Sequence, residues 1–259
     1  MSCSSVMFSL FLLSPCGQDG GGEVSEAVAA AISNPQRPAV DLAQDANRKP
    51  AEVLSFFHIE PGMRVLDLFS GGGYYTELLD SVVGEDGEVI AHTNEAYIPF
   101  SGEIYQTRYA GGRLKQTTTI ISEADDLELG EGSLDAALLV LTWHDFLFED
   151  PENGWLAIDE SILVEKLCRA IRPGGVLGLI DHVANSGGDP AGVARDLHRV
   201  DPEVVRQSFS DTCFSLEAEA GFLHNGADDH TLSPFDPSVR GKTDRYLIRF
   251  VRTAHSGTS

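Results

Sequence analysis

Positive charge is what this chain of 259 residues has least of. Eighteen Lys and Arg stand against 40 Asp and Glu, a formal net charge of −22. A surface of this kind repels phosphate backbones, which excludes DNA and RNA as partners and disfavours adsorption to anionic lipid. Cysteine is scarce as well. Of four cysteines, Cys3 and Cys16 lie near the N-terminus, and Cys168 and Cys213 fall in predicted helices with no CxxC spacing. No zinc or redox motif follows from them, and Cys168 and Cys213 are expected to be buried apolar side chains. The apolar run Val6 to Leu13 is only eight residues long, too short to span a bilayer. No dinucleotide fingerprint is present, because Leu68, Phe69 and Ser70 follow Asp67 before three glycines, and no Lys-Ser/Thr follows to make a phosphate loop. Nor is there an internal repeat, so the length points to one domain with a sizeable core.

What is present begins with a leader. Val6 to Leu13 suits the core of a signal peptide, although no Lys or Arg precedes Arg37. Leu13-Ser14-Pro15-Cys16 resembles a bacterial lipobox, in which the cysteine is acylated, and Gly17 to Ser25 reads as a polar tether. We therefore expect residues 1–33 to be leader and tether, 34–253 the folded domain and 254–259 a disordered tail. The chain is expected to be exported, periplasmic or held in the envelope by a lipid on Cys16, which would be its sole contact with a membrane; if the leader does not function, it is expected to be cytoplasmic.

The centre of the sequence carries two informative blocks. Residues 65–76 read VLDLFSGGGYYT: an aliphatic run ending in Asp67, then Gly71, Gly72 and Gly73, then a helical stretch from Tyr74. A strand that hands over to a helix through glycines exposes free backbone N–H groups and lets a ligand approach closely. Residues 162–182 read ILVEKLCRAIRPGGVLGLIDH. Apolar positions Ile162, Leu163, Leu167 and Ile171 recur at helical spacing, Pro173 blocks continuation, and Val176 to Ile180 reads as a buried strand.

Further strands are predicted at Glu88–Thr93, Thr117–Ser122 and Leu134–Leu141, the last apolar on both faces as a central parallel strand should be. A long helix is predicted over Pro202–Ala220, closed by Gly221, with a sixth strand opening at Phe222–Leu223 and the last at Arg245–Val251. Strands alternating with helices predict an α/β fold built on a doubly wound sheet.

The glycine block resembles the first motif of class I S-adenosylmethionine-dependent methyltransferases, and the helix-RPGG-strand-Asp unit resembles their post-motif segment. Phe69 stands where that family has its first glycine. The His-Asp, Asp-His, Asp228-Asp229-His230 and RGKTDR (240–245) segments resemble a narrower bacterial group of "predicted methyltransferases" that often carry signal peptides. The resemblance runs from about Pro38 to Val251. It implies a Rossmann-like, mostly parallel seven-stranded sheet with helices on both faces, one strand antiparallel near the edge. It also implies S-adenosylmethionine as cofactor and methyl transfer to a small-molecule acceptor.

Ligands in such sheets bind beyond the carboxyl ends of the strands, which selects the candidate residues. Asp67 with Gly71, Gly72 and Gly73 would hold the amino end of the cofactor. No acid stands at the usual ribose position, so Asn94 is the candidate there with Glu95 as fallback, and Asp125 would accept from adenine. His144, after the fourth strand, is the first candidate for a general base because its ordinary pKa lies near neutrality. Asp145 would orient it or bind substrate, and His182 is the alternative base. RGKTDR reads as a charged turn or as a cationic clamp on an anionic substrate.

Two other functions fit the same residues. One is an exported, catalytically idle binding protein, since S-adenosylmethionine is made in the cytoplasm. The other is a metal-assisted enzyme using His144, Asp145, Asp181, His182, Asp229 and His230. A divalent metal is not the favoured reading, and no metal ligands are assigned.

Overall fold

The computed structural model describes residues 23–254; the leader features expected within residues 1–22, Cys16 among them, and residues 255–259 lie outside it. Four helices come first: α1 (Glu26–Ser33), α2 (Ala39–Leu42), α3 (Asp45–Arg48) and α4 (Pro50–Phe56). Then β1 (Arg64–Leu68), α5 (Tyr74–Val83), β2 (Glu88–Thr93), α6 (Ile98–Tyr109), β3 (Thr117–Ile121) and β4 (Leu134–Val140) alternate. The chain finishes with α7 (Glu160–Ala170), β5 (Ile171–His182), α8 (Pro190–Leu197), α9 (Pro202–Ser208), β6 (Phe214–Ala220) and β7 (Arg245–Arg252).

The seven strands form one sheet in the order β3-β2-β1-β4-β5-β7-β6. β1 to β5 pair in parallel, while β7 runs antiparallel to both β5 and β6. The predicted doubly wound, mostly parallel sheet is therefore the observed one. Its two faces are read directly from the period-2 alternation of β4: Ala136 and Leu138 pack with α1, α4 and α5, whereas Ala137 and Leu139 pack with α7. Pairing of β4 with β5 jumps from Leu134–Ile171 to Ala136–Val176, so the Pro173-Gly174-Gly175 segment bulges out between the end of α7 and the core of β5.

Three expectations are corrected. Residues 26–33 were assigned to the leader, yet they form α1, capped by Ser25, whose Oγ accepts from Val28 N. Val28 and Ala31 are buried against α5, so packed structure begins ahead of residue 34. The long helix predicted over Pro202–Ala220 ends at Ser208; residues 214–220 are strand β6, and Phe222–Leu223 lie in the turn after it. Pairing with β7 overrides the helical propensity of Leu216-Glu217-Ala218-Glu219-Ala220. Finally, Cys168 and Cys213 are not two separate buried thiols. Cys168 lies on α7 and Cys213 just ahead of β6, and folding brings their Cα atoms to 5.9 Å in a disulfide.

Candidate functional site

The order reversal between β1 and β4 leaves a crevice beyond their carboxyl ends, the place where open α/β sheets bind ligands. A cavity of about 830 Å³ opens there. Phe69 to Gly72 form one wall. Leu141, His144 and Asp145 after β4, with His182 at the end of β5, form the wall opposite. Tyr97, Ile104 and Arg108 close it from the β2–β3 side, and Phe148, Trp155, His198 and Phe235 from the other.

The glycine wall is shaped by what packs on it. Gly71 sits at φ +56, in the left-handed region that favours glycine. At Gly72 a Cβ would lie 2.8 Å from Ile104 Cγ2 of α6, so this glycine is required by protein packing before any ligand is considered. Arg108 fastens α6 down: its Nε donates to the Gly72 carbonyl, and its guanidinium bonds Glu77 and, at 2.8 Å, Asp41. Behind the loop, Asp67 accepts from Thr76 Oγ1 at 2.6 Å, which ties β1 to the first turn of α5. Burial raises the Asp67 carboxyl to about 6 against the pull of the Thr76 bonds. Phe69, at φ +51, turns its ring into a cluster with His92, Tyr97, Phe146 and Trp155 at centroid distances of 5.2–5.8 Å.

The polar wall is more sharply organised. His144 stands in a short 3-10 turn, Trp143–Phe146, which follows Leu141 at φ +63. Its Nδ1 lies 2.8 Å from Asp181 Oδ1, its backbone N–H donates to Asp181 Oδ2 at 3.0 Å, and its Nε2 lies 3.3 Å from Asp145 Oδ1. Asp181 is fully buried and also accepts from the His182 backbone N–H. Burial opposes charge on His144, but the Asp145 and Asp181 carboxylates outweigh it and lift the imidazole to about 9. Both His144 ring nitrogens therefore face carboxylates. His182 differs: burial and the neighbouring His144 push it well below its ordinary value, and its Nδ1 meets Thr243 Oγ1 at 2.8 Å. Among the described residues its Nε2 has no hydrogen-bond partner, and the ring lines the cavity.

Of the residues chosen from sequence, Gly71, Gly72, His144, Asp145 and His182 are brought together around the cavity. Asp67 and Gly73 stand behind the loop. Asn94 and Asp125 are not among the residues that line the cavity. The Asn94 amide donates to Glu123 Oε2 and its Oδ1 accepts from Tyr97 N, so it is spent holding the turn after β2. Asp125 accepts from Asp159 N, ahead of α7. Within 240–245, Thr243 steadies His182, Asp244 pairs with His224 and His230, and Arg245 donates to the Asn47 carbonyl; none of the six lines the cavity. Asp229 and His230 likewise lie away from it. Sequence reasoning missed His198, which closes α8 at φ +49 with Nδ1 3.8 Å from Asp145 Oδ1, and Arg48, which lines the cavity beside Tyr74. Neither belongs to a strand end, the one signal that selected the others.

Comparison with known proteins agrees with this geometry. The profile of the protein-L-isoaspartate(D-aspartate) O-methyltransferase family matches residues 31–100, the stretch holding β1, the glycine loop, α5 and β2. Uncharacterized methyltransferases of Mycobacterium tuberculosis and Mycobacterium bovis are 28% identical over 151 residues, 58% of this chain and 51% of theirs. The chain thus spans about half the length of the curated relatives it matches. A SAM dependent methyltransferase from Aquifex aeolicus superposes with a TM-score of 0.55 at 19% identity, over 86% of this chain and 98% of that one. A geranyl diphosphate methyltransferase in complex with SAM gives 0.54 at 13% identity, over 87% and 95%. The fold is that of the class I methyltransferases. A class I methyltransferase fold does not by itself fix the reaction, since a cyclase superposes nearly as well, at 0.52 and 16% identity over 86% of each chain.

Proposed function

We propose that this chain is an S-adenosylmethionine-dependent methyltransferase acting on a small-molecule acceptor. The observation that carries the reading is the cavity at the β1/β4 reversal, with the glycine loop on one wall and His144, Asp145 and His182 on the other. A sulfonium held over the loop would present its methyl group to an acceptor against the polar wall, where in-line approach and exclusion of water do most of the work. His182 suits the base role better than His144, because its Nε2 is free while both His144 nitrogens face carboxylates. The walled cavity and the net charge of −22 favour a small acceptor over nucleic acid. Isothermal titration with S-adenosylmethionine and with its demethylated product tests the reading: saturable binding of both is expected, and absence of binding overturns it.

A second reading has its own support. Phe69 fills the place of a glycine, and Asn94 and Asp125 are bonded within the protein, so the cofactor grip differs from the family pattern. An exported, idle binding protein would bind one or both ligands yet transfer no methyl group to any acceptor in a small-molecule panel. The Cys168–Cys213 disulfide supports export and the signal-peptide-bearing group, since such bonds persist in oxidising compartments. Expressed with its native leader, the chain is expected in the envelope fraction, with Cys16→Ala releasing it or blocking processing.

A further inference from the structure

The turn after β4 and the end of α8 meet in an arrangement that methyl transfer does not call for. His144 Nε2, a carboxylate oxygen of Asp145 and His198 Nδ1 all lie within 4.8 Å of one another. The Asp145 oxygen is 3.3 Å from one imidazole nitrogen and 3.8 Å from the other. Ligands bound at roughly 2.1 Å around a tetrahedral ion stand about 3.4 Å apart, so the Asp145 oxygen already stands near ligand spacing from both imidazoles. From this we propose that His144, Asp145 and His198 bind one divalent transition-metal ion of the zinc type.

Three further observations support the site. Asp145 is buried to 6% exposure, and among the described residues no backbone N–H, hydroxyl, amide or guanidinium donates to its carboxylate; its polar neighbours are the two imidazoles. A buried carboxylate without such donors is what a cation is needed to satisfy. Behind His144, Nδ1 meets the fully buried Asp181, which is itself fixed by two backbone N–H groups. That partner holds the ring with Nε2 facing Asp145, where a bound ion would take the place of the Nε2 proton, the outer-shell pattern of metal-bound histidines. His198 is held in the left-handed region at φ +49 and ψ +51, a conformation rare outside glycine and kept here at the cavity edge.

The other histidine cluster shows the contrast. Asp244 gives one oxygen to His224 at 2.8 Å and the other to His230 at 3.0 Å, which are separate hydrogen bonds with no shared point between them. Two imidazoles and one carboxylate suit a borderline ion and leave a coordination position open. All three ligands line the cavity, so that position would accept an oxygen-bearing small molecule such as a hydroxyl or carboxylate compound.

The test is titration of the metal-stripped full chain with Zn²⁺ alone, with no cofactor present, so that its outcome is independent of the methyl-transfer reading. One equivalent should bind. His198→Ala should weaken binding at least tenfold; His198 is the ligand of choice because its side chain is 29% exposed and its loss leaves the packed turn in place. Asp181→Asn should weaken it by about 10–100-fold, and His224→Ala should leave it unchanged, with circular dichroism confirming folding of each variant. Replacing Zn²⁺ by Co²⁺ gives an independent signature, a visible absorption band present in the parent and lost in His198→Ala. Absence of a one-to-one site, equal affinity in His198→Ala, or loss of binding in His224→Ala would each overturn the proposal.

Discussion

Burial drives the His92 imidazole down to about 4 from an ordinary 6.5, against the upward pull of its bond to the Ser122 carbonyl. The ring is fully buried and, among the described residues, its Nδ1 has no hydrogen-bond partner. Between those two values the unfolded chain takes up a proton that the folded chain refuses. Stability therefore rises with pH from about 4 to 6.5 and is lost as pH falls through that window. The contribution is up to about 3 kcal/mol. His92→Leu should flatten this part of the pH profile in urea denaturation, while His182, shifted in the same direction, keeps its own share. A second prediction concerns His182 itself. On the proposed function, His182→Gln should lower turnover by roughly 10²–10⁴-fold and leave the affinity for S-adenosylmethionine unchanged, because the ring lies on the wall opposite the glycine loop. An unaltered turnover number would remove it from the mechanism.

At the scale of elements, α6 is held to the glycine loop by a buried ion cluster. Arg108 is 1% exposed in its side chain, with Asp41 and Glu77 on either side of it. Removing the arginine leaves Asp41 buried without a cationic partner and Glu77 with only the half-exposed Arg113, so Arg108→Met should cost about 3–5 kcal/mol of unfolding free energy. Arg113, 34% exposed on the same Glu77, should cost less than about 1 kcal/mol when truncated to Ala. Urea titration of the two variants measures both. The legibility of these elements from sequence follows the same physics. β1, β2 and β4 are central strands covered on both faces, so their residues read as short aliphatic runs bounded by glycine or acid. β6 lies at the sheet edge, mostly exposed, and Leu216-Glu217-Ala218-Glu219-Ala220 favours a helix until β7 supplies its hydrogen bonds. His144, Asp145 and His182 were legible because strand ends mark the crevice. His198 and Arg48 come from segments whose position depends on packing rather than on strand register, and nothing in their local pattern points at the cavity.

Across the whole molecule, the Cys168–Cys213 bond joins α7 to the start of the edge strand and closes a loop of 45 residues. A loop of that length restricts the unfolded chain by about 4 kcal/mol in the chain-entropy account. Reduction, or Cys168→Ser with Cys213→Ser, should lower the unfolding free energy by that order, read from urea midpoints with and without dithiothreitol. The same two positions gave no sign of pairing in sequence, because contact between them is made only once α7 and β6 lie on the sheet. The excess of acids has a kinetic consequence of its own. A net charge of −22 gives the molecule as a whole a negative long-range field, felt over about 10 Å at 0.1 M salt. A sulfonium ligand or a divalent ion is drawn into such a field, and an anionic competitor is turned away. Capture of cations should then slow steeply as ionic strength rises while their escape rate holds steady, so that the outer charge governs how often the pocket is visited and the pocket alone governs how long a visitor stays.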